Sequence, residues 1–296
     1  MAPSKLKEWF PWTTAPVIIN APMIGAACPA LASEVSKAGG IGFISSIVNL
    51  EPGSRELTKA NDNLAEVRHL LNQPSSGGAV HAGMSCITGH ASVSHFTDTV
   101  LPVIAAQRPA ALWLFAPADH ATARPHARII AAGDGADVVV CQGIDAGGHQ
   151  FRRGMGVVSL VPEVRRMLLE EFPEREVALV AAGGIVNGKG VAAALALGAD
   201  GVVMGTRFTV ADESIYPDFR KAQVLAATDG GKSTLKSQFN DQMNNSALWG
   251  PLYDGRALVS EIHDKFLGGA TLEECQAALA QVSPPEEAAK LINTWA

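Results

Sequence analysis

The sequence predicts an α/β protein: a TIM-type (β/α)8 barrel of parallel strands, apparently lacking one βα unit because seven strands are visible, with a C-terminal mostly helical extension. Three observations carry this prediction. Short, wholly apolar runs alternate with amphipathic stretches of helical spacing, as in parallel strands buried on both faces and joined by crossover helices. Those runs stop repeatedly at glycine-rich turns, which puts the unusual backbone at one end of the sheet. Two neighbouring runs late in the series end in Gly183-Gly184 and Gly205-Thr206, the place and kind of turn that form a phosphate site on such a barrel.

Composition narrows the class. The 296 residues are 47% hydrophobic, enough for one large α/β domain or two small ones with a sizeable core. A net charge of −6 leaves no electrostatic footprint for nucleic acid. Cys28, Cys86, Cys141 and Cys275 are scattered without a C-x-x-C pair, and read as reduced thiols of a cytoplasmic protein rather than a disulfide frame or a zinc site. Met1 to Thr14 lacks the apolar core of a signal peptide, and no apolar run reaches the length of a membrane span.

In chain order, Val17 to Asn20 reads as the first buried strand, and Pro29 opens a helix to Lys37. Ile41 to Ser45 is the second strand and Leu57 to Leu71 an amphipathic helix. Ala79 to Met84 is a weak third strand, followed by a small polar loop from Ser85 to Ser94. A helix from Phe96 to Ala106 leads to the strand Ala111 to Phe115. Between Phe115 and Asp137 there is room for one helix, Arg124 to Ala132, and for no further strand. Asp137 to Cys141 is the fifth strand, Leu160 to Glu171 a helix, and Val177 to Ala182 with Gly201 to Met204 the last two strands around the helix Val191 to Leu197. Residues 1–210 thus form the β/α core. Residues 211–257, polar with one Trp-Gly-Pro-Leu-Tyr-Asp-Gly-Arg segment from Trp249, read as an excursion over the barrel mouth. Residues 258–296 read as helices, Leu258 to Phe266 and Leu272 to Trp295, packing on the barrel.

The chemistry gathers at the strand ends. At Gly183-Gly184 the chain turns from strand into helix, where unpaired N–H groups and the helix dipole suit an anion. The run Gly183 to Lys189 imitates a nucleotide-binding P-loop, but Gly190 stands where the magnesium-binding hydroxyl belongs. His149 follows Gly147-Gly148 after a buried strand, so the backbone can bend sharply beside a flat ligand. A histidine can take a proton from a weakly acidic C–H and return it; the alternative is a surface-loop histidine without a task. Met23 either packs on an aromatic ring or is an ordinary core methionine. Gln142 either reads the edge of a heterocycle or is a satisfied loop amide. The remaining histidines lack metal-ligand spacing, so no metal is expected.

Four blocks then stand in order: Asn20-Ala21-Pro22-Met23 with Gly39-Gly40-Ile41-Gly42-Phe43; Gln142 to His149; Ala181 to Ile185; and Val203-Met204-Gly205-Thr206-Arg207-Phe208. This series resembles the nitronate monooxygenase family, also called 2-nitropropane dioxygenases, over residues 16–210; Tyr253-Asp254-Gly255-Arg256 resembles its fungal members. The resemblance implies FMN on a TIM barrel. Its phosphate would lie on Gly184, Gly205 and Thr206, and Gly183, Val203 and Met204 would also bind the cofactor. Met23, Gln142, Gly147 and Gly148 would lie along the isoalloxazine and ribityl parts. His149 would deprotonate a neutral nitroalkane, and O2 would be the second substrate. Family members carry a further strand and helix between the points matching Phe115 and Asp137. Their loss here would leave a seven-stranded or split barrel, of low stability and weakened FMN retention. A flavin-dependent enoyl-thioester reductase using NAD(P)H, and a non-enzymatic flavin-barrel paralogue, are the alternative readings.

Overall fold

A computed structural model describes residues 5–75, 77–118, 135–246 and 248–296. It is an α/β fold. Its parallel strands are β1 (Val17–Asn20), β2 (Gly42–Ile47), β3 (Val80–Ile87), β4 (Pro109–Phe115) and β5 (Val138–Gln142). After an intervening β6 (Gly148–Phe151), β7 (Ala178–Ala182) and β8 (Gly201–Met204) complete the set. Every parallel strand lies at an apolar run that predicts one. Two departures concern the polar stretches. β3 continues through Ser85, Cys86 and Ile87, which the sequence places in a loop; both faces are covered there, and Ser85 Oγ bonds Ser46 Oγ at 3.0 Å. His149, expected at the end of a loop, lies within β6. The expectation that no strand lies between Phe115 and Asp137 falls on residues 119–134, outside the described residues.

Strands pair in the orders β4-β3-β2 and β1-β8-β7-β5. The two sets meet where Ile41 N–H donates to the Ile18 carbonyl at 3.0 Å, beside a parallel bridge from Ile19 to Ile41. Among the described residues no ladder joins β4 to β5. Alternate residues of this layer share an inner core: Val17 and Ile19, Ile41 and Phe43, Trp113, Val138 and Val140, Ala178 and Val180, and Val203. Leu6 and Phe10, on and just after the helix Lys5–Trp9, close one end of that core. The other faces pack on helices. Arg55–Leu70 and Phe96–Gln107 cover β2 and β3, while Val157–Glu171 and Gly188–Ala196 cover β5, β7 and β8. Fully buried leucines such as Leu64 and Leu179 each contribute about 1.5–3 kcal/mol. Where backbone approaches backbone, only glycine fits: a Cβ on Gly42 would run into the Ala32 carbonyl of the helix Pro29–Lys37.

Past β8 the texture changes, as the polar sequence suggests, but into a second sheet. β9 (Thr234–Ser237), β10 (Tyr253–Leu258) and β6 pair antiparallel with β10 in the middle. The helix expected from Leu258 to Phe266 is Glu261–Leu267, because Leu258 still belongs to β10. The one expected from Leu272 to Trp295 divides into Leu272–Ala280 and Pro285–Ala289, broken by Pro284 and Pro285. The chain then returns along β10, where Trp295 bridges to Ala257. No helix among the described residues is long and apolar enough to cross a membrane.

Candidate active site

Adjoining strand ends assemble the site. The loop after β5 folds back on β7, with Gly143 N–H donating to the Ala182 carbonyl at 2.8 Å. β7 passes into Gly183 and Gly184, with φ of +107° and +69°, which glycine adopts without strain. A Cβ on Gly183 would stand 3.0 Å from the Gly143 carbonyl, and one on Gly184 3.3 Å from Asp145 Cβ. Bare backbone therefore lets the two loops touch. On the other side, Ala21 N–H at the end of β1 donates to the Met204 carbonyl at 2.9 Å. Met23 Sδ lies 3.8 Å from where a Cβ on Gly205 would be. Gly147 connects the halves: its Cβ position is 3.0 Å from Thr206 Oγ1 and runs into the backbone of Ala296. Met23, Gly147, Gly183, Gly184, Gly205 and Thr206 thus gather at the carboxyl end of the parallel strands.

The other expected residues are placed differently. Val203 turns into the inner core and Met204 into the outer one, both buried, because successive strand residues face opposite ways. Gln142 Nε2 donates to the His149 carbonyl at 3.4 Å. Gly148, with φ of +66°, pairs with Arg256 in the antiparallel sheet. At the start of Gly188–Ala196, two helix amides are already taken: Asn187 Oδ1 accepts from Lys189 N–H at 3.0 Å and Gly190 N–H at 3.1 Å, an ordinary N-cap.

His149 is held on three sides. Its Nε2 lies 2.9 Å from both carboxylate oxygens of Asp241. Its ring stacks on Trp249, with centroids 4.0 Å apart and planes at 12°, and Trp295 lies across it at 4.6 Å and 53°. Only 7% of the His149 side chain and 13% of the Asp241 side chain are exposed. Gly255, opposite His149 in the ladder, makes room for Trp295: a Cβ there would enter the indole. Beyond Trp249 the aromatic wall continues through Phe115, Tyr253 and Phe151. Burial pushes the Tyr253 phenol above its usual range, and its hydroxyl donates to the Pro117 carbonyl at 2.8 Å.

Asp241 is presented by the short helix Phe239–Met243. Phe239, Asn240 and Met243 are buried, the first and last in a small separate core with Ile262 and Cys275. Asn240 Nδ2 lies 3.2 Å from Nε2 of the fully buried His263. Burial holds that imidazole below the usual histidine range, and its Nδ1 faces Ser260 Oγ at 2.9 Å.

The profile of the nitronate monooxygenase family matches residues 86–243, more than half of the chain. A nitronate monooxygenase of Neurospora crassa is 47% identical over 307 residues, spanning 92% of this chain and 80% of that protein. The chain belongs to the nitronate monooxygenase family. A second nitronate monooxygenase, from Metarhizium robertsii, is 33% identical over 86% of this chain and 76% of its own. In fold, this family member is similar to a nitroalkane oxidase from Streptomyces ansochromogenes, with a TM-score of 0.66 and 22% identity over 99% of this chain and 91% of that one. FabK from Thermotoga maritima has the same score and identity over 95% and 83%.

Family motifs bring His149 and the glycine turns to light, but not what holds His149. Asp241 lies 92 residues further along the chain, in a polar stretch without a spacing motif. Trp249 and Gly255 stand in the segment that the sequence marks as unusual; nothing in it says that an indole would stack on His149.

Proposed function

We propose that this chain is an FMN-dependent oxidoreductase that oxidises nitronates and their parent nitroalkanes with O2, giving a carbonyl compound and nitrite. The reading rests on one observation above all: a sheltered, carboxylate-paired His149 stands in β6, just past the loop that carries the Gly147 seat, in a chain 47% identical to a nitronate monooxygenase. When bound, FMN would supply the redox chemistry between the nitronate and O2. The glycine turns suit its phosphate: Gly183 and Gly184 have positive φ, and Gly205 and Thr206 follow the neighbouring strand β8. Gly184, Gly205 and Thr206 would hold the phosphate. Met23, Gln142 and Gly147 would border the ring and ribityl chain.

His149 takes the proton from the carbon bearing the nitro group, and Trp249 and Trp295 keep water from the ring that receives it. In this reading the parallel layer is a TIM-type barrel short of one βα unit. The inner core shared by alternate residues of the parallel strands supports the barrel. Residues 1–210 serve as the cofactor-binding core, 211–257 as the cover of the mouth and 258–296 as the closing segment. Four buried, scattered cysteines accord with a cytoplasmic enzyme.

The test is the purified protein's absorption spectrum together with oxygen uptake. A flavin spectrum, with nitronate-dependent uptake and nitrite release, is the expected result. Sustained NADPH oxidation without nitronate would overturn it in favour of an enoyl-thioester reductase. A colourless preparation that cannot be reconstituted would overturn it in favour of a non-enzymatic scaffold.

A further inference from the structure

We propose that Asp241 is the positioning residue of the site: it fixes His149 in the tautomer that carries hydrogen on Nε2 and leaves Nδ1 to receive the substrate proton. This rests on the reading of His149 as the base. The geometry is one-sided. Both Asp241 oxygens stand 2.9 Å from Nε2, whereas Nδ1 has no hydrogen-bond partner among the described residues. An ionised carboxylate only accepts hydrogen bonds, so the shared hydrogen belongs to Nε2. In a neutral imidazole the other nitrogen is then the basic one.

The surroundings make this choice durable. Trp249 fixes the plane of the ring by stacking, so His149 cannot swing Nε2 away from Asp241 without breaking that contact. Asp241 is held in turn from the opposite side, by Phe239 and Met243 in their own core and by the Asn240–His263 pair. The carboxylate also stabilises the imidazolium that forms when Nδ1 takes the proton from the substrate carbon. That C–H bond breaks, its electron pair stays on the nitronate, and the proton remains on His149. A mere structural tie between β6 and the helix Phe239–Met243 would use the same contact without selecting a nitrogen.

The experiment compares wild type, Asp241→Asn and Asp241→Ala as purified with flavin, using two readouts. The first is the ¹⁵N spectrum of histidine-labelled protein at about pH 8.5, where imidazoles are ordinarily neutral. Wild type should show His149 protonated on Nε2, and Asp241→Ala should show mixed tautomers. The second is the ratio of kcat/KM for a neutral nitroalkane to that for its preformed nitronate. Both variants should lose about 10²–10⁴-fold on the nitroalkane, the range seen when a base loses its correct tautomer, while changing less than about fivefold on the nitronate. An unchanged tautomer in Asp241→Ala, or equal losses on both substrates, would overturn the proposal. If Asp241→Ala does not fold, the nearly isosteric Asp241→Asn decides by the same two readouts. Failure of the wild type to turn over either substrate would sink the functional reading, and the tautomer comparison would still decide the role of Asp241.

Discussion

At the scale of the residue, His149 carries the most consequence. The variant His149→Asn keeps the small polar shape but loses the proton acceptor, and it should retain flavin. Its kcat/KM for neutral nitroalkanes should fall about 10²–10⁴-fold, with preformed nitronate, which needs no deprotonation, still oxidised. Steady-state oxygen uptake on the two substrates checks this; equal loss on both would show that His149 holds the fold rather than the proton. His149 was legible in the sequence because glycines precede it directly. Asp241 was not, because a carboxylate in a polar stretch looks the same whether it faces water or a histidine 92 residues away. Val203 and Met204 stand beside a glycine turn, and strand alternation sends both side chains into cores.

Elements differ in how plainly the sequence announces them. The parallel strands are covered on both faces, so they appear as apolar runs that no other element imitates. β6, β9 and β10 mix Gly, His, Gln, Thr, Lys, Ser and Asp; their pairing is antiparallel and one-sided, and no run marks them. The contact between β2 and the helix Pro29–Lys37 gives one prediction at this scale. Gly42→Ala places a methyl against the Ala32 carbonyl, with backbone on both sides unable to yield. The expected cost is about 3 kcal/mol, measured by denaturant unfolding.

The helix that carries His263 gives another. Burial lowers the pKa of that imidazole in the folded chain, and burial likewise lowers that of His81, next to Trp12 and Arg68. A depressed histidine binds its proton more weakly folded than unfolded. Stability is therefore complete above the ordinary histidine value of about 6.5 and declines as pH falls below it. The thermal midpoint should drop between pH 7.5 and pH 5.5, and His263→Asn should lessen the drop. A midpoint indifferent to pH across that interval would contradict the assignment.

For the whole molecule, the consequential feature is the return of residues 294–296 along β10. The Leu258 amide donates to the Thr294 carbonyl at 2.8 Å, and the Tyr216 hydroxyl to the Trp295 carbonyl at 3.4 Å. Ala296 thereby reaches the seat beside Gly147 and Thr206, the seat the proposed flavin needs. Cofactor loading then becomes an exchange, in which a piece of the protein is the competing ligand. Its strength sets a toll on affinity: a docked segment favoured by about 1.4 kcal/mol weakens apparent flavin binding roughly tenfold. Trp295→Ala loosens that segment, so it should tighten FMN binding, read by quenching of flavin fluorescence. Added FMN should also speed amide exchange at Thr294 to Ala296 in the wild type. Tighter protection of those amides on adding FMN would mean that flavin and segment share the seat rather than contest it.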